Sequence, residues 1–246
     1  MKSKDSMTLD RVLSRLRLAS RTLARQAIAA GRLKVNGSVV RDADRWVRLD
    51  TDIIHLDGKR LRHARKVYLL FCKPKGVITS HGDPSSRRTI YDYLDRNLPW
   101  VSPVGRLDKD SSGLLLLTND TEFAHFVSDP ASQVEKTYVV KLNGLIDEEG
   151  VITLARGVRL RRGDVARPVS VKRLEDRGKY SWLEIVLTEG KNREVRRMVE
   201  ALGFMVLKLV RTRIGPWSLD RLEVGKYREL SSAEIGRFRQ QQSSRS

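Results

Sequence analysis

The chain has 246 residues, 40% of them apolar, and 48 Lys and Arg against 30 Asp and Glu give a formal net charge of +18. That length fits one large domain or two smaller ones, with enough apolar residues for a real core. The charge points to a polyanion, since each neutralised phosphate releases a counterion; an anionic membrane surface is the weaker alternative, and no run approaches the roughly 18 apolar residues of a bilayer span.

Cys72 is the single cysteine, so no internal disulfide can form, and a reducing compartment, the cytoplasm, is expected. The N-terminal "MKSKDSMTLDRVLSRL" has no apolar signal core. His55, His63, His81 and His125 are scattered without zinc-ligand spacing, so no structural or catalytic zinc is expected.

Residues 1–63 carry 15 Lys and Arg against seven acids. Leu9, Val12, Leu13 and Leu16 recur at i, i+3, i+4 and i+7, one face of a helix. Ser20 reads as the N-cap of a second helix, "RTLARQAIAAG", that stops at Gly31. Asn36-Gly37, between short apolar runs, predicts a hairpin because both residues tolerate positive φ. Arg21, Arg25, Arg32 and Lys34 form a basic group, read either as a solvated face or as a polyanion contact. The basic, turn-rich "DGKRLRHARK" (57–66) reads as a linker.

Beyond it, "VYLLFCKPKG" begins as a buried strand and stops at Pro74 and Gly76. "RRTIYDYLDRNL" reads as a helix ending before Pro99, "WVSPV" as a short strand and "LLLLT" as a fully buried one. Asn119 or Thr121 is placed to cap the helix "EFAHFVSD". "EKTYVVKL" and "YSWLEIVLT" alternate as strands, and "EEGVITLARG" is a short helix or turn closed by Gly157. Strands mixed with short helices, without a regular βαβ period, predict an α+β fold with a mixed sheet. The last residues, "QQQSSRS", read as disordered.

"EGKNREVRRMVEALG" (189–203) predicts a helix capped by Asn192 and stopped by Gly203. Val195, Met198, Val199 and Leu202 gather on one arc; Arg193, Arg196, Arg197 and Glu200 gather on the other. Arginine suits planar anions such as phosphate and carboxylate. Walker, GxGxxG and GxSxG patterns are absent, so nucleotide-cofactor and serine-triad chemistry find no support. Cys72 reads as a buried structural thiol. The sharpest catalytic candidate is an acid in "GRLDKDSSGLLLLTND" (105–120), where spacing alone does not separate Asp108 from Asp110.

That run, with "KPKG" at 73–76, "EKTY" at 135–138 and "EGKNREVRRM" at 189–198, resembles the RsuA/RluB/RluE/RluF family of RNA pseudouridine synthases, in the family's motif order. The first sixty or so residues resemble the alpha-L RNA-binding domain of ribosome-linked proteins. The resemblance implies an RNA-binding domain at 6–63, a pseudouridine synthase domain with a mixed, largely antiparallel sheet at 67–238, and a disordered tail at 239–246. It implies that Asp108 is the catalytic carboxylate, Tyr138 stacks on the uracil and Arg196 pairs with Asp108. Arg106 would contact the RNA backbone, Leu187 would wall the base, and Lys73 would be structural. Arg21, Arg25, Arg32 and Lys34 would touch RNA, with Arg193 and Arg197 as further contacts. No metal and no organic cofactor is implied. The implied partner is ribosomal RNA or a pre-ribosomal particle, with the large subunit preferred and a monomer as the acting form. Competing readings are a non-enzymatic ribosome-assembly factor and a metal-dependent RNA hydrolase.

Overall fold

The computed structural model describes residues 6–16, 18–49, 51–61, 65–80, 82–83, 85–160 and 163–243; His63 and His81 lie outside them. The chain divides into two compact units, residues 1–66 with 97–100, and residues 67–96 with 101–246.

In the first unit, β1 (Ser6–Thr8) leads into α1 (Leu9–Arg15) and α2 (Arg21–Ala29), followed by β2 (Leu33–Val35), β3 (Ser38–Val40), β4 (Trp46–Arg48), β5 (Ile54–Leu56) and β6 (Lys59–Leu61). Leu9, Val12 and Leu13 pack with Ala24, Ile28, Leu33, Val47 and Ile54 into one core. The Ser20 side chain accepts the Leu23 backbone N–H at 3.3 Å, the expected cap of α2. Asn36 and Gly37 both have positive φ and turn β2 into β3. The expected linker is corrected in its first half. Asp57 and Gly58, also at positive φ, turn β5 into β6, so residues 59–61 are a strand.

The second unit is built on a sheet whose main strands are β7 (Tyr68–Lys73), β9 (Ser112–Thr118), β10 (Lys136–Leu142), β13 (Ser170–Arg177), β14 (Tyr180–Leu187), β15 (Val206–Ile214) and β17 (Tyr227–Glu229). They lie side by side in the order β13-β14-β10-β15-β9-β7-β17. Short β8 (Ser102–Pro103) pairs with β9 and β16 (Trp217–Ser218) with β15, while β11 (Val158–Arg159) and β12 (Val165–Ala166) form a separate ribbon. Among the described strands of this sheet only β9 and β15 run parallel; the other pairings are antiparallel, so the sheet is mixed and largely antiparallel as expected. Helices α3 (Thr121–Ser128), α4 (Glu148–Arg156), α5 (Glu194–Ala201) and α6 (Ser232–Ser243) complete the unit. No described helix is long and apolar enough to cross a membrane.

Several expectations are corrected here. The stretch read as a helix before Pro99 forms only a 3₁₀ turn, Ile90–Tyr93. Asp92 accepts the Thr89 N–H at 2.7 Å and closes that turn, and Leu94 returns to extended backbone. Asp120, not Asn119 or Thr121, caps α3 by accepting the Phe123 N–H. The tail expected from residue 239 is helical through Ser243, because Phe238 is buried against Phe123 and Trp217 and Arg239 pairs with Asp120 at 3.0 Å. Residues 244–246 lie outside the described ones.

Candidate active site

The loop between β8 and β9 carries Arg106, Leu107, Asp108, Lys109 and Asp110. Asp108 starts a tight turn, its carbonyl accepting the Ser111 N–H at 3.1 Å. The chain then enters β9 through Gly113, with φ of +105°. Here β9 meets β15 in parallel, Gly113 opposite Arg211, and an added Cβ would lie 2.3 Å from the Arg211 carbonyl oxygen. Glycine is therefore required where the loop joins the sheet.

Three buried side chains hold this loop through its backbone. The Lys73 ammonium, at the end of β7, donates to the carbonyls of Pro74, Asp108 and Ser111 at 3.0, 3.1 and 2.8 Å. All three of its protons are used. Burial pushes its pKa down to about 8, against the pull of Asp108 and Asp110, so it stays charged at neutral pH. The Thr79 hydroxyl donates to the Leu107 carbonyl at 2.8 Å and accepts the Leu107 N–H at 3.3 Å. Arg196, on α5, donates to the Asp110 carbonyl at 3.3 Å, to Ser111 Oγ at 3.4 Å and to the Val206 carbonyl at 3.2 Å. The Gly76 N–H adds a bond to the Lys109 carbonyl at 2.7 Å, joining "KPKG" to the same loop.

The loop borders a cavity of about 250 Å³ lined by Asp108, Arg106, Tyr138, Leu187, Arg193 and Glu194 among others. Tyr138 and Leu187 are buried, on the adjacent strands β10 and β14. Asp108 is a third exposed and faces Arg193, with Nη1 to Oδ2 at 3.6 Å. Asp110 is exposed and does not line the cavity, which separates the two acids by position.

The expected Arg196–Asp108 pair is thus corrected: the ion pair is with Arg193, and Arg196 acts on the backbone beneath the acid. The expected face of three guanidiniums is corrected too. Arg196 is buried and Arg197 half-buried, leaving Arg193 exposed, because protein covers both sides of α5. The N-cap of α5 is Arg193 in the left-handed region (φ +49°), not Asn192. Thr79 and the buried Glu194 were not singled out by sequence reasoning, because neither stands in a charge pattern that marks a site.

The model of the RNA pseudouridylate synthase family matches residues 67–201, a span that contains this loop, the cavity strands and α5. The chain belongs to the RNA pseudouridylate synthase family. The S4 domain model matches residues 7–53, within the first unit. Among relatives of this synthase, "Ribosomal large subunit pseudouridine synthase B" of Bacillus subtilis (strain 168) is 39% identical over 234 residues, 94% of this chain and 95% of the relative. The protein of the same name from Pseudomonas aeruginosa is 38% identical, over 92% of this chain and 60% of the relative. Of solved structures, a pseudouridylate synthase crystal structure matches with a TM-score of 0.67 and 32% identity, covering 94% of this chain and 98% of that one. In the synthase's S4 unit, Arg21 and Arg25 converge on the buried Asp10 at 3.0 and 3.3 Å, Arg25 also pairs with Asp44, and Arg32 pairs with Asp57 at 2.5 Å. Lys34 is exposed on β2. The expected basic group is therefore partly committed to acids of its own unit.

Proposed function

We propose that this chain converts a uridine of large-subunit ribosomal RNA to pseudouridine, with Asp108 as the carboxylate that carries the chemistry. The observation that carries the reading is Asp108 at the mouth of a cavity walled by Tyr138 and Leu187, with Arg193 beside it. The names of the relatives support the choice of the large subunit.

The reaction breaks the bond from uracil N1 to ribose C1′ and forms one from C5 to C1′. N1 gains a proton and C5 loses one, so the substrate supplies every other atom and no cofactor is consumed. Asp108 serves as the ionised group that this exchange requires, and Arg193 balances its charge. The target base leaves its stack, which costs a few kcal/mol, and stacking on Tyr138 offsets part of that. Leu187 covers the base and keeps water from it. Arg106 and Arg193, both exposed, meet the phosphates, while Arg197 is half-buried. The S4 unit holds flanking ribosomal RNA through Lys34 and through Arg32, whose exposed pair with Asp57 yields to phosphate. Arg21 and Arg25 both brace Asp10 and add to that field. The acting form in this reading is a single chain in the cytoplasm.

Pseudouridine mapping of ribosomal RNA from cells with and without this gene tests the reading. One large-subunit site lost on deletion is expected. A loss confined to small-subunit RNA or transfer RNA, or no loss, overturns it.

A further inference from the structure

The acid nearest the chemistry after Asp108 is Glu194, the first residue of α5. It lines the same cavity and is 3% exposed. Its Oε2 accepts the Lys191 N–H at 3.0 Å, while its own N–H donates to the Lys191 carbonyl at 3.1 Å. These reciprocal bonds close the loop 191–194 into a tight turn. Between them stand Asn192 and Arg193, and Arg193 holds a left-handed backbone while its guanidinium faces Asp108 at 3.6 Å. Glu194 therefore ties together the two ends of the turn that carries Arg193.

Oε1 of Glu194 is buried and has no donor in reach. The side chain that acts on it is another carboxyl, Glu189, from the same loop. Lys191 Nζ pairs with Glu189 at 3.0 Å, which fixes the charge on Glu189. Two ionised carboxylates in contact repel, and a buried one without a donor is costly. A proton on Glu194, donated to Glu189, satisfies both groups at once.

We propose that Glu194 is a positioning residue that works as a neutral acid, sharing its proton with Glu189 so that the 189–193 loop presents Arg193 to Asp108. When that proton is lost to solvent, Glu189 and Glu194 repel, the turn opens and Arg193 leaves Asp108. The other charged groups in play are Lys191, Arg197 beside Glu189, and Asp164 beside Lys191; the cations oppose the opening but supply no proton. Burial, then the bond to Glu189, lifts the Glu194 pKa to about 7, so the change falls in the neutral range.

The activity arm of the test rests on the proposed function; the stability arm does not. Glu194→Gln keeps the shape and the donor of the neutral acid and removes the titration. Activity is read as tritium released from C5-labelled uridine in an unmodified large-subunit RNA transcript, under single-turnover conditions. Wild type should lose rate above pH about 7, approaching about tenfold per pH unit, and the variant should hold its rate. Melting temperature is read for both proteins over the same pH range. A raised carboxyl pKa gives stability that is full below the unfolded value of 4.5 and declines until pH passes about 7. The variant should therefore match wild type under acid conditions and melt higher above neutrality. Identical pH dependence of melting in the two proteins overturns the neutral-acid assignment, whether or not the transcript is a substrate. A wild-type alkaline limb that persists unchanged in the variant overturns the link to Arg193.

Discussion

The two units use arginine and lysine in opposite ways. In the S4 unit, Arg25 and Arg32 lie on the surface and meet carboxylates of their own unit, and such exposed pairs are screened by salt and contribute little to stability. In the synthase unit, Lys73 and Arg196 are buried and spend their donors on backbone carbonyls of the Asp108 loop. A surface cation can exchange a carboxylate for a phosphate. A buried cation bonded to carbonyls fixes geometry and cannot be exchanged. The contrast separates the RNA-binding unit from the unit that holds the Asp108 loop still.

The contrast breaks most sharply at Lys73. Lys73→Met fills similar space but removes the charged donor from three carbonyls, leaving the Asp108 carbonyl with the Ser111 N–H alone. A loss of about 2–4 kcal/mol is expected in urea unfolding, together with loss of turnover. Wild-type stability would mean that the loop holds itself. Next come Arg193, the N-cap of α5, and Arg196 within it, which differ although three residues apart. Arg196→Ala should lower turnover and cost roughly 1–3 kcal/mol, by leaving the Asp110 and Val206 carbonyls unpaired. Arg193→Ala should lower turnover while the unfolding midpoint stays in place, since Arg193 is exposed. Equal stability losses in the two variants would erase the distinction.

Thr79→Val is isosteric and removes both bonds to Leu107. A cost of about 1 kcal/mol is expected, with a partial fall in rate visible under single-turnover conditions. The smallest effect on folding belongs to the S4 unit. Replacing Arg32 and Lys34 by Gln should leave the melting temperature unchanged and reduce the salt slope of RNA binding by about 0.7–0.9 for each phosphate that is no longer neutralised. An unchanged slope would place the RNA elsewhere. Arg21 and Arg25 are left out of that variant because together they brace the buried Asp10.

How much of this was legible in the sequence follows the range of the forces involved. Local signals read true: the Ser20 cap, the Asn36-Gly37 hairpin, the α4 stop at Gly157 and the alternation of β10 and β14 all depend on a few neighbouring residues. Long-range placement did not. Strand β15 fits between β10 and β9, and its parallel pairing with β9 leaves no local pattern. The polar arc of α5 looked solvent-facing because periodicity places residues on faces but does not say what covers each face. The loop backbone covers Arg196. Asp108 and Asp110 are two residues apart and chemically alike. Motif resemblance separated them, and in the fold Asp108 borders the cavity while Asp110 does not.

The most direct test of Asp108 as the reacting carboxylate is Asp108→Asn, purified and given unmodified large-subunit ribosomal RNA, with pseudouridine counted at each uridine. The substitution keeps the size and removes the charge. The variant is predicted to bind RNA and to unfold at the wild-type midpoint, yet to form no pseudouridine at the site the wild type modifies. Conversion at the wild-type rate would contradict that role.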